Sequence, residues 1–341
     1  MRKEILLYKR LGHDFQAVYI GGGTPTILMD ELTKTVHLLR STYGIKELSI
    51  ETNPNHLTKD RIEALIEMGT DRLSVGVQSF DELTLKRVGR YHKYGSGAEI
   101  AERLCAAMGK FKTLNVDMIF NFPFQTHSML ERDLETLVSL DVDQITYYPL
   151  MVSSLTIGEM EKKMGRMCYA REKMFYKKIL QALLPRYQQR TVWCYSKREG
   201  LIDEYVVKFP EYVGMGSGSI GYVDGTAFAN TFNVKRYVES LQEGVLPIVA
   251  KKCFSARERV LYDLFMSLFG LRTDLQELRK RHRHVISLIL PEILFLSLSG
   301  AIKRNGGEIV LTQRGKYLLL VFMREFFTAV NNFREFLRAT Q

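Results

Sequence analysis

The chain has 341 residues, of which 46% are hydrophobic and 25% charged, with a net charge of +10. That length suits one large α/β domain or two to three smaller ones, and the composition is that of a soluble globular protein. There is no run of about 18 apolar residues, so no membrane span or membrane partner is expected. The N-terminus MRKEILLYKRLG lacks the long apolar core of a secretory signal, which predicts a cytoplasmic protein. Cys105, Cys168, Cys194 and Cys253 form no CxxC or CxxxCxxC run, so spacing predicts free thiols and no metal site.

The first half alternates strand and helix. A helix over Glu4 to Arg10 precedes a strand at Val18-Tyr19-Ile20, which runs into Gly21-Gly22-Gly23-Thr24-Pro25-Thr26. Asp30 is an expected N-cap for a helix through Leu39. Leu48 to Ile50 is a second strand, ending at Glu51-Thr52-Asn53-Pro54, and Thr58 is expected to cap the next helix. Leu73 to Val77 is a third strand, ending at Gln78-Ser79, with helices expected from Asp81 and from Ala98. Val116 to Phe120 is a fourth strand, with Asp117 inside it, and Ile145 to Leu150 a fifth.

Beyond Thr156 the pattern changes. Residues 158 to 184 read as one helix, Thr191 to Ser196 as a strand, and Gly214 to Gly221 as a second glycine-rich segment, either a tight turn or a loop at the mouth of the site. From Ser255, which forms a capping box with Glu258, the chain is mostly helical. Leu288 to Leu298 is expected to be buried. Ile302 to Thr312 reads as a hairpin turning at Asn305-Gly306-Gly307, and the last helix starts at Gln313. Helices with a basic hairpin suggest a winged-helix-like module. The expected division is 1–156, 157–250 as an extension lining the site, and 251–341.

Strands separated by helices imply right-handed crossovers and a parallel sheet, in which ligands bind at the carboxyl ends of the strands. The polar residues collect there: Gly22, Gly23 and Thr24 after the first strand, Glu51 after the second, Gln78 after the third. Glycine backbone at a strand end lets a zwitterionic ligand approach the main chain. Asp117 lies within its strand, where a buried carboxylate needs hydrogen-bonding partners.

Together with Arg90 and Asn115-Val116-Asp117, these motifs resemble the oxygen-independent coproporphyrinogen III oxidase family of radical S-adenosylmethionine enzymes, over nearly the whole chain. The resemblance implies a partial parallel (β/α) barrel. It implies that Gly22, Gly23 and Thr24 hold the aminoacyl end of S-adenosylmethionine, and that Arg90 pairs its carboxylate through a bidentate fork. It also implies that Glu51, Gln78 and Asp117 supply the remaining polar contacts, with Ile220 near the nucleoside and Pro149 at a further contact. The family's CxxxCxxC loop, which holds a 4Fe–4S cluster, has no counterpart in this sequence. The first strand of the barrel is missing with it, so five strands are expected and the edge of the Val18 strand is exposed. This departure reads as an N-terminal truncation.

Three functions follow. The first is oxidative decarboxylation of tetrapyrrole propionates, which requires the cluster and an electron donor and is inactive in the chain as written. The second is a haem or tetrapyrrole-binding protein of the haem-chaperone kind, with His13, His56, His92, His127, His282, His284, Cys194 or Tyr195 as axial ligand. The third, nucleic-acid binding through the basic C-terminal module, is disfavoured because Leu318 to Phe322, Phe326 and Phe327 form a core pattern and no aromatic platform is evident.

Overall fold

A computed structural model describes residues 1–200, 202, 205–283 and 287–340, and the backbone alone of 284–286. The amphipathic helix α1 (Arg2–Arg10) leads into β1 (Ala17–Ile20), α2 (Met29–Thr42), β2 (Glu47–Thr52), α3 (Lys59–Glu67), β3 (Arg72–Gln78) and the short helices α4 (Glu82–Arg87) and α5 (Tyr91–Tyr94). Then come α6 (Gly97–Ala107), β4 (Thr113–Phe120), α7 (His127–Leu140) and β5 (Gln144–Pro149). Strands β1 to β5 pair in chain order, each parallel to the next. Leu48, Ile50, Leu73, Val75, Val77, Val116 and Met118 are buried in one core with Leu65, Leu104 and Leu137 of the helices. The apolar stripes of those helices close over the sheet, as the parallel topology requires.

The sheet is wider than five strands. After α8 (Ile157–Met164) and α9 (Glu172–Leu183), the chain returns through β6 (Gln188–Gln189) and β7 (Cys194–Ser196). These two join antiparallel on the far side of β5, giving seven strands in the order β1-β2-β3-β4-β5-β7-β6. They cover one edge, while β1 stands at the other with every residue half-buried. The single helix expected over 158–184 is broken, because α8 ends at Gly165 in a left-handed conformation (φ 92°). Two caps also differ from expectation. The second helix starts at Met29, which leaves Asp30 inside its first turn, and Thr58 sits at an N-cap without a side-chain hydrogen bond.

A three-stranded antiparallel sheet follows, of β8 (Ile220–Val223), β9 (Thr226–Asn230) and, beyond α10 (Val234–Gln242), β10 (Ile248–Cys253). The C-terminal module comprises α11 (Ala256–Phe269), β11 (Arg272–Asp274), α12 (Leu275–His282), α13 (Leu290–Leu298), the hairpin β12 (Ile302–Asn305) and β13 (Glu308–Leu311), and α14 (Gln313–Thr340). Its sheet order, β11-β13-β12, with helices packed on it, matches the winged-helix-like expectation. Ser255 and Glu258 form the expected capping box. The expectation of a buried Leu288 to Leu298 is overturned: Leu294, Phe295 and Leu298 are 58%, 71% and 80% exposed, because only Ile289, Ile293 and Leu296 turn toward the core.

The long helix α14 is fastened to α9 by an ion pair out of water. Arg324 donates to Glu172, whose side chain is fully buried, and lies over the Tyr169 ring at 4.0 Å. Tyr317 donates to the same carboxylate at 3.3 Å. Removing one partner of such a pair strands a buried charge. Arg324→Ala should therefore lower stability by about 3–5 kcal/mol in urea unfolding, whereas Arg324→Met combined with Glu172→Leu should recover most of the loss.

Candidate functional site

A cleft of about 230 Å³ opens at the carboxyl edge of the parallel strands. Tyr19, Gly23, Thr24, Glu51, Thr52, Asn53, Gly76, Gln78, Arg90, Tyr94, Asp117 and Tyr148 line it, so the first five strands and the segments leaving the first three contribute. Six of the expected site residues meet here: Gly23, Thr24, Glu51, Gln78, Arg90 and Asp117. Gly22 stands behind the lining, with its amide donated to Glu51 Oε2 at 3.2 Å. Ile220 is not in the lining. It lies on β8, where it pairs with Ala229, and its carbonyl oxygen packs 2.3 Å from where a Cβ on Gly214 would stand. Gly214 thus serves close backbone packing, while Gly218 and Gly221 make room for the rings of Phe232 and Phe228. Pro149 is likewise absent from the lining, and its neighbour Tyr148 takes the place.

Each acidic group of the cleft is held by donors of its own. Tyr19 on β1 donates to Glu51 Oε1 at 2.6 Å. Gly21 keeps this carboxylate in place by having no side chain, since a Cβ there would fall 2.5 Å from Oε1. Gly22 and Gly23 have φ of 89° and 140°, a region that disfavours other residues, and a Cβ on either would meet open space. Ser74 donates to Asp117 Oδ2 and Asn115 to Oδ1, both at 2.8 Å. Asn115 in turn accepts from Thr146 at 3.0 Å. The partners that a carboxylate within a parallel strand requires are therefore present.

Arg90 supplies the positive charge. Its Nη1 donates to the carbonyl of Gly76 at 2.9 Å and its guanidinium lies 5.2 Å from the Tyr94 ring centre. Burial lowers its pKa from the ordinary value, while Tyr94 and Asp117 oppose that shift. Gln78, at a bulge against β4, has φ of 77°, which is strained for a residue with a side chain and is found at functional positions. The strain is sustained from below. Asp133 on α7, fully buried, accepts from Ser79 Oγ at 2.9 Å, Phe80 N at 2.7 Å and Asp81 N at 3.1 Å, so the exit of β3 is pinned. Asp81 then caps α4 through Thr84 N at 2.9 Å.

The sequence reading missed Tyr19, Thr52, Tyr94 and Tyr148 as lining. Tyr19 and Tyr148 lie within strands and read there as apolar strand formers. Thr52 and Asn53 stood in the Glu51 motif and could have been read from it. Of the proposed axial ligands, Cys194 and Tyr195 are sealed inside the protein on β7, so no ligand reaches them. His282 Nε2 is bound to Asp263 at 2.8 Å in the C-terminal module. His13 sits before β1, at the opposite edge. His284 lies outside the residues whose side chains are described. His56, His92 and His127 stand on segments leaving the carboxyl edge, where His56 shares a hydrogen bond with Thr26 at 2.7 Å and its pKa is lowered, first by burial.

Residues 1–137 match the Radical SAM superfamily. The chain is 27% identical to the heme chaperone HemW of Bacillus subtilis over 322 residues, covering 89% of this chain and 83% of that protein. Residues 1–137 carry a domain of the radical S-adenosylmethionine superfamily. The relatives of the chain include both haem chaperones and oxygen-independent coproporphyrinogen III oxidases. It is 24% identical to the oxygen-independent coproporphyrinogen III oxidase of Helicobacter pylori, over 82% of this chain and 67% of that enzyme. A solved structure of the Escherichia coli coproporphyrinogen III oxidase has the same fold, with a TM-score of 0.76 at 20% identity over 95% of this chain and 81% of that one.

The superfamily implies S-adenosylmethionine and an iron–sulfur cluster, and the residues fit the two differently. The cleft combines one arginine, two oriented carboxylates and bare glycine backbone, a donor set suited to a zwitterion with a ribose. The thiols do not fit a cluster: Cys105 is on α6, Cys168 between α8 and α9, Cys194 buried in β7 and Cys253 on β10. Among the described residues no three His, Cys, Asp or Glu side chains form a metal site.

Burial pushes the pKa of Asp133 up to about 7, against the pull of its amide donors. A carboxyl with a raised folded pKa stabilises the protein most when protonated, so its contribution falls as the pH climbs from about 4 to about 7. The stability of the wild type minus that of Asp133→Asn, followed by urea unfolding, should decline across that range and be flat above it.

Proposed function

We propose that the chain is a haem or tetrapyrrole-binding protein of the haem-chaperone kind that keeps an S-adenosylmethionine site in its cleft. The observation that carries this reading is the hydrogen-bonded polar cleft at the carboxyl edge of the sheet, in a chain similar over most of its length to a protein named as a haem chaperone. The similar proteins named as haem chaperones support it.

In this reading Arg90 turns its Nη2 and Nε toward the ligand carboxylate while Nη1 stays on Gly76. Glu51, fixed by Tyr19 and Gly22, faces the ammonium, and the open backbone at Gly23 lets the aminoacyl end approach. Thr24 adds a hydroxyl. Asp117 and Gln78 meet the ribose hydroxyls. When bound beside a reducing cluster, S-adenosylmethionine supplies a 5′-deoxyadenosyl radical, and the cofactor carries that chemistry while the protein orients it. The residues present here bind and orient. Haem would sit at the mouth of the cleft, with His56, His92 and His127 on the segments around it.

Calorimetric titration should show S-adenosylmethionine binding that Arg90→Ala weakens at least about tenfold, the loss of a charge-assisted bond. Micromolar haem should give a shifted Soret band, and a band identical to free haem would reject the haem reading. With dithionite and iron and sulfide added, the chain should yield no 5′-deoxyadenosine. Its appearance would return the chain to the oxidative decarboxylation of tetrapyrrole propionates.

A further inference from the structure

Helix α13, in the C-terminal module, carries an apolar face that the fold leaves uncovered. Leu290, Leu294, Phe295 and Leu298 are 57%, 58%, 71% and 80% exposed. Their spacing places them on successive turns of one face, together with Pro291. Leu288, just before the helix, extends the face at 48% exposed. No charged residue interrupts it. The one acid of the helix, Glu292, turns aside and is paired with Arg257. Scattered exposed leucines are ordinary, but a contiguous helical face of this kind marks a binding surface.

The surroundings of this face are cationic. Arg279, Lys280 and Arg283 precede it at the end of α12 and just beyond, and Lys303 and Arg304 follow it on β12, the strand against which α13 packs. All five are exposed, and none makes a hydrogen bond or ion pair among the described residues. Nearby Arg281 differs, being tied to Asp263 at 3.0 Å and Glu277 at 3.1 Å. The fold thus leaves five unneutralised cations around a bare apolar helix in a chain of net charge +10.

We propose that this corner of the C-terminal module docks on an anionic lipid bilayer, with α13 lying in the headgroup layer. A short helix with an apolar face sinks into the boundary between headgroups and acyl chains, and basic residues beside it are drawn to the negative surface potential. The combination selects this partner. A nucleic acid would use the five cations but has no use for a Leu/Phe face, and a second copy of the chain would bring the same cations against each other. No described helix is long and apolar enough to cross a membrane, so the contact is peripheral. It is independent of what the cleft binds.

Flotation with vesicles tests it. The purified 341-residue chain should float with vesicles containing about a third phosphatidylglycerol in phosphatidylcholine, and should remain behind with phosphatidylcholine alone. Salt at about 0.5 M should release it, since exposed charges are then screened. Arg279→Gln with Lys280→Gln should lower the partition coefficient by roughly ten- to thirtyfold. Leu294→Ser with Phe295→Ser should abolish flotation without lowering the thermal midpoint, because both residues are exposed. Phe295→Trp gives a second readout, because the sole tryptophan, Trp193, is 1% exposed. Its added emission should shift to the blue with anionic vesicles only. The proposal is overturned by absence from the anionic vesicles, by flotation that the double serine variant retains, or by a dimer in sedimentation that this variant dissolves while vesicles are ignored. Retention on duplex DNA with no flotation would overturn it too.

Discussion

The geometry of the cleft depends on one buried carboxylate. Asp133 gathers the hydroxyl of Ser79 and the amides of Phe80 and Asp81 at the point where β3 leaves the sheet. Those amides would otherwise be unsatisfied in the interior. With the exit pinned, Gln78 is kept at a φ that a free chain would abandon, and α4 begins where Asp81 caps it. Arg90 follows α4 directly and returns to the Gly76 carbonyl, so strand end, helix and arginine form a closed loop. A ligand in the cleft touches none of the Asp133 bonds, yet the positions it meets are set by them.

The second organising feature is the mutual support of the polar groups. Glu51 is oriented from β1 and Asp117 from β3 and β4. Because the strands are parallel and sequential, each acid reaches a donor on a neighbouring strand without a loop intervening. The C-terminal parts of the chain reinforce this from behind: the Tyr19 ring contacts Tyr205 at 5.7 Å, and Tyr205 contacts Tyr212 at 5.2 Å. No described residue of the extension expected over 157–250 is in the cleft lining; Tyr205 touches the lining residue Tyr19.

What the sequence made legible was the local pattern. Alternating strand and helix, glycine after β1 and polar residues after β2 and β3 were enough to bring Gly23, Glu51 and Gln78 to one edge, and the family resemblance added Arg90 and Asp117. What escaped it depends on which side of an element faces the core. Leu288 to Leu298 is apolar throughout, so its composition predicts burial, but the module packs only Ile289, Ile293 and Leu296 inward. Strand β7 falls within the strand expected over Thr191 to Ser196, but β6 is too short for periodicity to signal, and the pairing of β7 with β5 and of β6 with β7 is a long-range event. Ile220, whose place was implied by likeness of the glycine-rich segment, stands outside the cleft lining, on a strand against which Gly214 packs closely.

Gly21 and Glu51 have a shared consequence for how this sequence can vary. The carboxylate occupies the space a side chain at position 21 would need. Any larger residue at 21 would push that carboxylate aside, and Tyr19 would then lose its acceptor as well. The three positions lie on two strands and are separated by up to 32 residues in the chain. The dependence runs one way: a shorter residue at 51 or a phenylalanine at 19 is free of any clash, whereas a side chain at 21 acts on both of the other positions at once.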